Sequence, residues 1–264
     1  MQRLKGMNVK SRSALLVVLL SLQILRCSGN ENESLRVMLL PTAKGSALLC
    51  RGYVTNDQQE LTSPIYDFTR EFSHVDTLDG LQVYAFYSNN EKFFFHVDDE
   101  GAIEQLTTLN LTNRLIPYAL MTVSPVVLGY WETMLKTNDG VGTEWEVEVD
   151  TTVAAVNSQG DTVLVRYYYL AKARFDGWGH TAIPESQSIQ SVIDVHWYEI
   201  DNFIVNETGG DSLFVKRGSA HYYFDEDLGM IKYITDYKLK QMNQPYVSRH
   251  GTWELIEKKL PRES

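Results

Sequence analysis

Gly142 to Tyr169 reads GTEWEVEVDTTVAAVNSQGDTVLVRYYY, and its periodicity decides the fold class. Glu144, Glu146, Glu148 and Asp150 alternate with Trp145, Val147 and Val149. A strict period of two belongs to a strand with one wet face and one buried face. Asn157-Ser158-Gln159-Gly160 then reverses the chain, and Val163, Val165, Tyr167 and Tyr169 mark the apolar face of a second strand. A glycine closing a short polar run suits a hairpin that needs positive φ. The pair seeds a large antiparallel sheet.

Working outward, the same grammar recurs on both sides. Upstream, residues 35–55 are a mixed apolar stretch that fits a strand or a short helix, Asn56 to Glu60 is a polar turn, and Pro64 to Val75 alternates loosely. Leu81, Val83 and Ala85 oppose Gln82, Tyr84 and Phe86; Lys92 to Val97 and Ala102 to Leu106 follow after polar turns, which makes a β-meander. Residues 107–142 contain Pro117 and Pro125, and no helical period survives both prolines. This segment reads as an extended crossover lying against the sheet, with room for a short helix at Tyr130 to Lys136.

Downstream, Phe175 to Ser188 is rich in Gly, Pro and Ser and reads as a loop. Ile189 to Val205 reads as one long strand with Ile193, Val195 and Trp197 on one face and Asp194, His196 and Tyr198 on the other. Ser212 to Arg217, Ala220 to Phe224, Met230 to Tyr237 and Thr252 to Lys258 complete a second meander, with a turn at Asp225 to Gly229. The predicted fold is mainly β: one large curved antiparallel sheet, a Pro-containing crossover and few short helices, open rather than closed into a barrel.

The N-terminus carries an address. Arg3, Lys5, Lys10 and Arg12 precede the apolar run Ala14 to Leu25. That run is too short to span a bilayer, which takes about 20 residues, but suits the core of a secretory signal peptide. Residues 1–26 are therefore read as a signal peptide, 27–34 as a polar tether and 35–264 as a single β-rich domain. Removing the five basic residues of the leader leaves 19 against 34 acidic ones, a net charge of −15. Nucleic acid is excluded as a partner, because phosphate binding needs a basic footprint. The charge also opposes peripheral binding to anionic lipid, though not a covalent lipid anchor.

Cys27 follows the apolar run directly and is followed by the polar Ser28 to Ser34. This resembles a bacterial lipoprotein signal, in which the cysteine is lipidated and becomes the mature N-terminus; here Leu25 and Arg26 occupy positions where that pattern places small residues. The rival reading is a soluble secreted protein in which Cys27 pairs with Cys50. Beyond the leader, Gly142-x-x-Trp145, Thr152 to Val165 with Gly160 in its turn, Tyr222-Tyr223-Phe224 before Leu228-Gly229-Met230-Ile231-Lys232, and the closing Trp253-Glu254-Leu255 resemble uncharacterised bacterial envelope lipoproteins with a LolA-like curved sheet. The resemblance spans residues 80–257. It implies that fold and an envelope address, outer-membrane-anchored or periplasmic, and it says little about chemistry.

Two patterns invite an enzymatic reading. Gly210-Asp211-Ser212-Leu213 spells the nucleophile block of the GDSL esterases, but that family places it near the mature N-terminus with an Asp-x-x-His near the C-terminus. Here Val247 stands where the Asp before His250 belongs. A serine nucleophile needs a base and an oxyanion site in reach, and the sequence nominates neither. Asp194 and His196 share a strand face, with His221 and His180 as candidate neighbours, whereas a metal centre wants three or four ligands. Asp225-Glu226-Asp227 lacks EF-hand spacing, and no CxxC, HExxH, P-loop or GxGxxG occurs. No cofactor or metal is assigned. Tyr167, Tyr169, Trp197, Tyr222 and Phe224 are the candidate lining of an apolar groove on the sheet. The functional reading is a non-enzymatic exported lipoprotein that binds a lipid, another apolar or amphipathic ligand or an envelope protein; the alternative is a secreted hydrolase using Ser212 or a metal near His196.

Overall fold

The alternation that opened the sequence is the spine of the structure, a computed structural model that describes residues 45–89, 91–183 and 188–259. The leader, the tether and Cys27 lie outside the described residues. Glu144–Val156 and Thr162–Ile183 pair antiparallel from Glu144↔Arg174 to Val156↔Thr162. The four acidic residues are exposed and Val147 is buried. Asn157 closes the turn by accepting from the backbone N–H groups of Gln159 and Asp161, with Gly160 at φ 89°.

Thirteen strands form one antiparallel sheet. In chain order they are β1 (Ala47–Thr55), β2 (Tyr66–Leu78), β3 (Leu81–Ser88), β4 (Glu91–Val97), β5 (Ile103–Asn110), β6 (Met121–Thr122), β7 (Val127–Leu135), β8 (Glu144–Val156), β9 (Thr162–Ile183), β10 (Ser188–Asn206), β11 (Asp211–Asp225), β12 (Gly229–Gln241) and β13 (Val247–Lys259). Across the sheet the order is β6-β8-β9-β10-β11-β12-β13-β1-β2-β3-β4-β5-β7. Every chain-consecutive pair from β8 to β13 is an antiparallel neighbour, as is every pair from β1 to β5, and β13 joins β1 to fuse the two meanders.

The topology forces the sheet to roll. β6 and β7 sit on opposite edges, yet only residues 123–126 separate them in the chain. The edges must therefore approach each other. They do so without a backbone ladder: the Trp145 indole N–H on β8 donates to the Thr133 carbonyl on β7 at 2.8 Å. A short helix, α1 (Leu111–Leu115), caps one end of the roll. Asn110 accepts from the Asn113 N–H at its start, and Leu111 and Leu115 are buried beneath it. The core is then a double layer, in which Phe72, Phe86, Phe95 and Leu135 from one half meet Phe175, Val195, Trp197 and Phe224 from the other.

Three sequence expectations are corrected. Tyr130 to Lys136 is not helical: Val127 to Leu135 forms β7 against β5, and the helix lies earlier, at Leu111–Leu115. Phe175 to Ile183 is strand rather than loop: β9 continues to Ile183 because β10 extends alongside it, with Gly177 opposite Asp194 and Gly179 opposite Val192, while residues 184–187 of the expected loop lie outside the described residues. Ser212 to Arg217 and Ala220 to Phe224 are one strand rather than two. Gly218 lies between them because β12 passes so close that a Cβ there would stand 2.0 Å from the Asp236 carbonyl oxygen. Residues 35–55 resolve the other way in part, with Ala47 to Thr55 forming a strand.

Candidate functional site

A row of aromatic rings crosses the inner face of the sheet. Tyr222 on β11 is in register with Tyr233 on β12, Tyr233 with Trp253 on β13, Trp253 with Gly52 on β1, and Gly52 with Tyr66 on β2. The rings stand side by side: Tyr222 and Tyr233 stack with centroids 5.4 Å apart and 23° between planes, and Tyr233 and Trp253 stack at 5.6 Å and 15°. Phe68 joins Trp253 to Tyr66 through contacts of 5.5 and 5.8 Å. Such pairs add roughly 0.5–1.5 kcal/mol each beyond their buried area. Gly52 is the member without a ring, and its bareness is needed. A Cβ at Gly52 would fall 2.5 Å from Cζ of Tyr66, whose ring lies across the strand at that point.

This row forms one wall of a cleft of about 360 Å³ between the two halves of the roll. Phe93, Phe95, Met134 and Met230 supply further apolar lining, and Ser88, Asn89 and Glu91 border it from the β3–β4 turn. The volume lies toward the small end of ligand pockets, which run from about 300 to 1,000 Å³. Tyr66, Tyr222 and Tyr233 all line the cleft, and none of their hydroxyls hydrogen-bonds to another described side chain.

Besides Glu91 at the rim, two charged side chains line this cleft. Arg70 follows Phe68 on the inner face of β2 and rests its guanidinium 4.9 Å over the Trp253 ring, an attraction of about 0.5–2 kcal/mol. It forms no ion pair with any described carboxylate. Burial pulls its pKa below the usual arginine value, yet a guanidinium stays charged in a protein. Glu132 on β7, in the same half of the roll, lines the same cleft. Its carboxyl accepts from the Tyr169 hydroxyl at 2.5 Å and from the Thr107 hydroxyl at 3.0 Å. Burial raises the Glu132 pKa above the carboxylate range, and those two hydroxyls only partly oppose it. Both residues keep accessible surface because each lines the cleft; desolvation dominates all the same.

The residues nominated from sequence divide. Tyr222 lines the cleft. Tyr169 stands behind it, half-buried, holding Glu132. Tyr167, Trp197 and Phe224 are 3%, 1% and 3% exposed and pack in the core rather than the cleft. Arg70, Glu132, Tyr66 and Trp253 were missed. A cation four residues past an exposed tyrosine carries no local signal, although a lone glycine inside a strand, as at Gly52, does point to a close approach.

Neither residue of the hydrolase alternative is joined by a complete catalytic set among the described residues. Ser212 is exposed at the start of β11, paired in register with Val205, and no histidine hydrogen-bonds to it among the described residues. On the outer face, His196 and His221 stack at 4.1 Å with 11° between planes. His221 Nδ1 lies 3.2 Å from Asp194, and His196 Nδ1 lies 3.6 Å from Asp176. Among the described residues no three His, Cys, Asp or Glu side chains converge as a metal site. Burial, with His221 second, lowers the His196 pKa. Asp225 is structural: its carboxylate accepts from the Asp227 and Leu228 N–H groups and closes the turn. Cys50 is a fully buried free thiol, pushed up to about 12 by burial, so a bridge to Cys27 would require it to leave the core.

No protein-family model matches the chain, and neither does any curated protein. Two solved structures are similar to it. A "putative lipoprotein" from Parabacteroides distasonis ATCC 8503 shares 11% identity over 84% of this chain and 98% of its own, with a TM-score of 0.36. A "putative exported protein with YmcC-like fold" from Bacteroides fragilis NCTC 9343 shares 8% identity over 84% of this chain and 99% of its own, with a TM-score of 0.37.

Proposed function

We propose that this protein is an exported, non-enzymatic binding protein that is tethered to the cell envelope through Cys27 and holds an amphipathic small molecule in the cleft of its rolled sheet. The observation that carries the reading is the two-sided character of the cleft. Phe93, Phe95, Met134 and Met230 offer apolar contact, while the hydroxyls of Tyr66, Tyr222 and Tyr233 face the same space without side-chain partners. A wholly apolar ligand would strand those hydroxyls away from water, and a wholly polar one would waste the apolar lining. The address rests on the basic flank, the short apolar run and the cysteine that ends it.

The cleft is tested with Nile red, an uncharged solvatochromic dye, titrated into the purified chain. The expected result is a saturable, blue-shifted emission that is lost in Ser88→Trp, which plugs the rim without touching the core. No binding by the unaltered protein, or undiminished binding by Ser88→Trp, overturns the reading. The anchor is tested separately: Cys27→Ser should move the protein from the membrane fraction to the soluble one, and an unchanged partition rejects lipidation at that cysteine.

A further inference from the structure

We infer that the ligand of this cleft carries an anionic head, a carboxylate or a phosphate, and that Arg70 is the group that selects it. The inference rests on the cleft reading and sharpens it. Arg70 presents a planar fork of N–H donors, a geometry that matches two oxygens of a carboxylate or phosphate at once. It lines the cleft and has no carboxylate partner among the described residues. Its guanidinium rests on the Trp253 ring face, and among the described residues no side chain hydrogen-bonds to the N–H donors around its edge.

Such an arrangement is costly unless something completes it. A cation removed from bulk water without a counter-charge loses hydration that a ring face returns only in part. The carboxylates nearby do not serve. Glu91 is exposed at the rim and makes no ion pair with Arg70, and the Glu132 oxygens are engaged by Tyr169 and Thr107. The remaining acid–base groups lining the cleft are Tyr66, Tyr222 and Tyr233, whose hydroxyls can donate to the same anion. The protein is strongly acidic overall, so one bare arginine set in an aromatic cleft is a local exception to its charge.

Three ligands of one chain length separate the cases: decanoate, decyl phosphate and decanol, each measured by displacement of Nile red from the full chain. Both anions should bind about tenfold more tightly than the alcohol or better, the scale of a hydrogen bond to a charged group. Arg70→Met, which keeps an apolar stem, should erase that preference, so that the two anions and decanol bind alike; the tighter of the two anions on the unaltered protein identifies the head. If decanol binds the unaltered protein as tightly as decanoate, the anion inference fails while the cleft reading stands. If the dye and all three ligands fail to bind, both fall. Should Arg70→Met not fold, the salt dependence of the unaltered protein decides. Added NaCl should weaken the anions and spare decanol, and equal salt response refutes the role of Arg70.

Discussion

Replacing Tyr169 by phenylalanine tests the polar end of the cleft with one atom. The substitution removes the hydroxyl that donates to Glu132 at 2.5 Å and leaves the ring in place, so no cavity forms. What is lost depends on the charge of Glu132. With the carboxyl protonated, the bond is an ordinary neutral one, worth about 1 kcal/mol net; with it ionised, the bond is charge-assisted and worth about 1.5–3 kcal/mol. Burial raises the Glu132 pKa above its ordinary 4.5. A carboxyl with a raised folded pKa contributes stability that is fully present below 4.5 and is lost as pH rises through the folded value. Removing the Tyr169 hydroxyl, which opposes that rise, pushes the value further up.

Tyr169→Phe should therefore cost about 1 kcal/mol while Glu132 is protonated and about 2–3 kcal/mol above the pH at which Glu132 ionises in the native state. For a domain of this size the difference is a further drop of several degrees in Tm, at about 2–4 °C per kcal/mol. Urea unfolding across a pH series, followed by far-UV circular dichroism, measures it. Glu132→Gln supplies the control, because the amide oxygen still accepts from Tyr169 but nothing titrates. In that background the cost of Tyr169→Phe should be flat with pH. A cost that stays flat across the pH series in the native sequence, or a pH dependence that survives Glu132→Gln, refutes the assignment of Glu132 as the titrating partner.

Gly218→Ala should destabilise by about 2–4 kcal/mol, since its Cβ must retreat from 2.0 Å to an ordinary 3.4 Å, a shift of 1.4 Å that the β11–β12 hydrogen bonds cannot follow. Gly129→Ala is the control, expected to be neutral in urea midpoint because its Cβ would meet only Leu106, at 4.0 Å. His250 is clasped by Asp236 at 2.5 Å and Asp57 at 3.0 Å, and these two bonds raise its pKa above 6.5. Its contribution is then fully present below pH 6.5 and lost as pH rises through the folded value. His250→Gln should lower the urea midpoint at pH 6, and the difference from the native protein should shrink as pH rises through the folded value. Cys50, buried and with its thiol near 12, should resist iodoacetamide in the native state and label on unfolding; native labelling at the rate of a free thiol would contradict its place in the core.

How far the sequence could be read depended on whether the deciding contact was local. The β8–β9 hairpin was legible because its burial alternates within one strand and its turn residues lie side by side. The turn at Asp225 to Gly229 was legible for the same reason. Phe175 to Ile183 was not, because Gly177 and Gly179 read as breaks until β10 is laid beside them. Gly218 misled in the same way, as a glycine that marks a close approach between strands looks identical in sequence to one that marks a turn. The sequence leaves room for a short helix at Tyr130 to Lys136, although Asn110, three residues before Asn113, carries a capping signal at the true site. The candidate groove grouped aromatic residues by type, whereas parity and the roll of the sheet separate them. Tyr168 turns to the outer face to stack on Phe203 at 5.8 Å, and Trp197 goes to the core. Arg70 and Glu132 share a cleft only because β2 and β7 belong to the same rolled half, a long-range fact with no period to announce it.

Departures from local consistency acquire meaning from where they fall. A glycine inside a strand, a cation without a counter-ion and a buried acid each cost stability, and a protein that carries them scattered would simply be less stable. Here Arg70 and Glu132 line the cleft and Gly52 makes room for a ring that lines it. Gly218, by contrast, is accounted for by the crowding of β11 against β12 and needs no ligand. The outer-face charges are also accounted for: Arg166 with Asp150, Lys172 with Glu199 and His250 with Asp57 and Asp236 are ordinary exposed pairs of small worth. Once those pairs are set aside, the guanidinium of Arg70 is a charge in the cleft that its neighbours leave without a counter-ion. A sheet that needed only to pack would have placed methionine or leucine at that position, in line with Phe68 and Phe72, and been more stable for it.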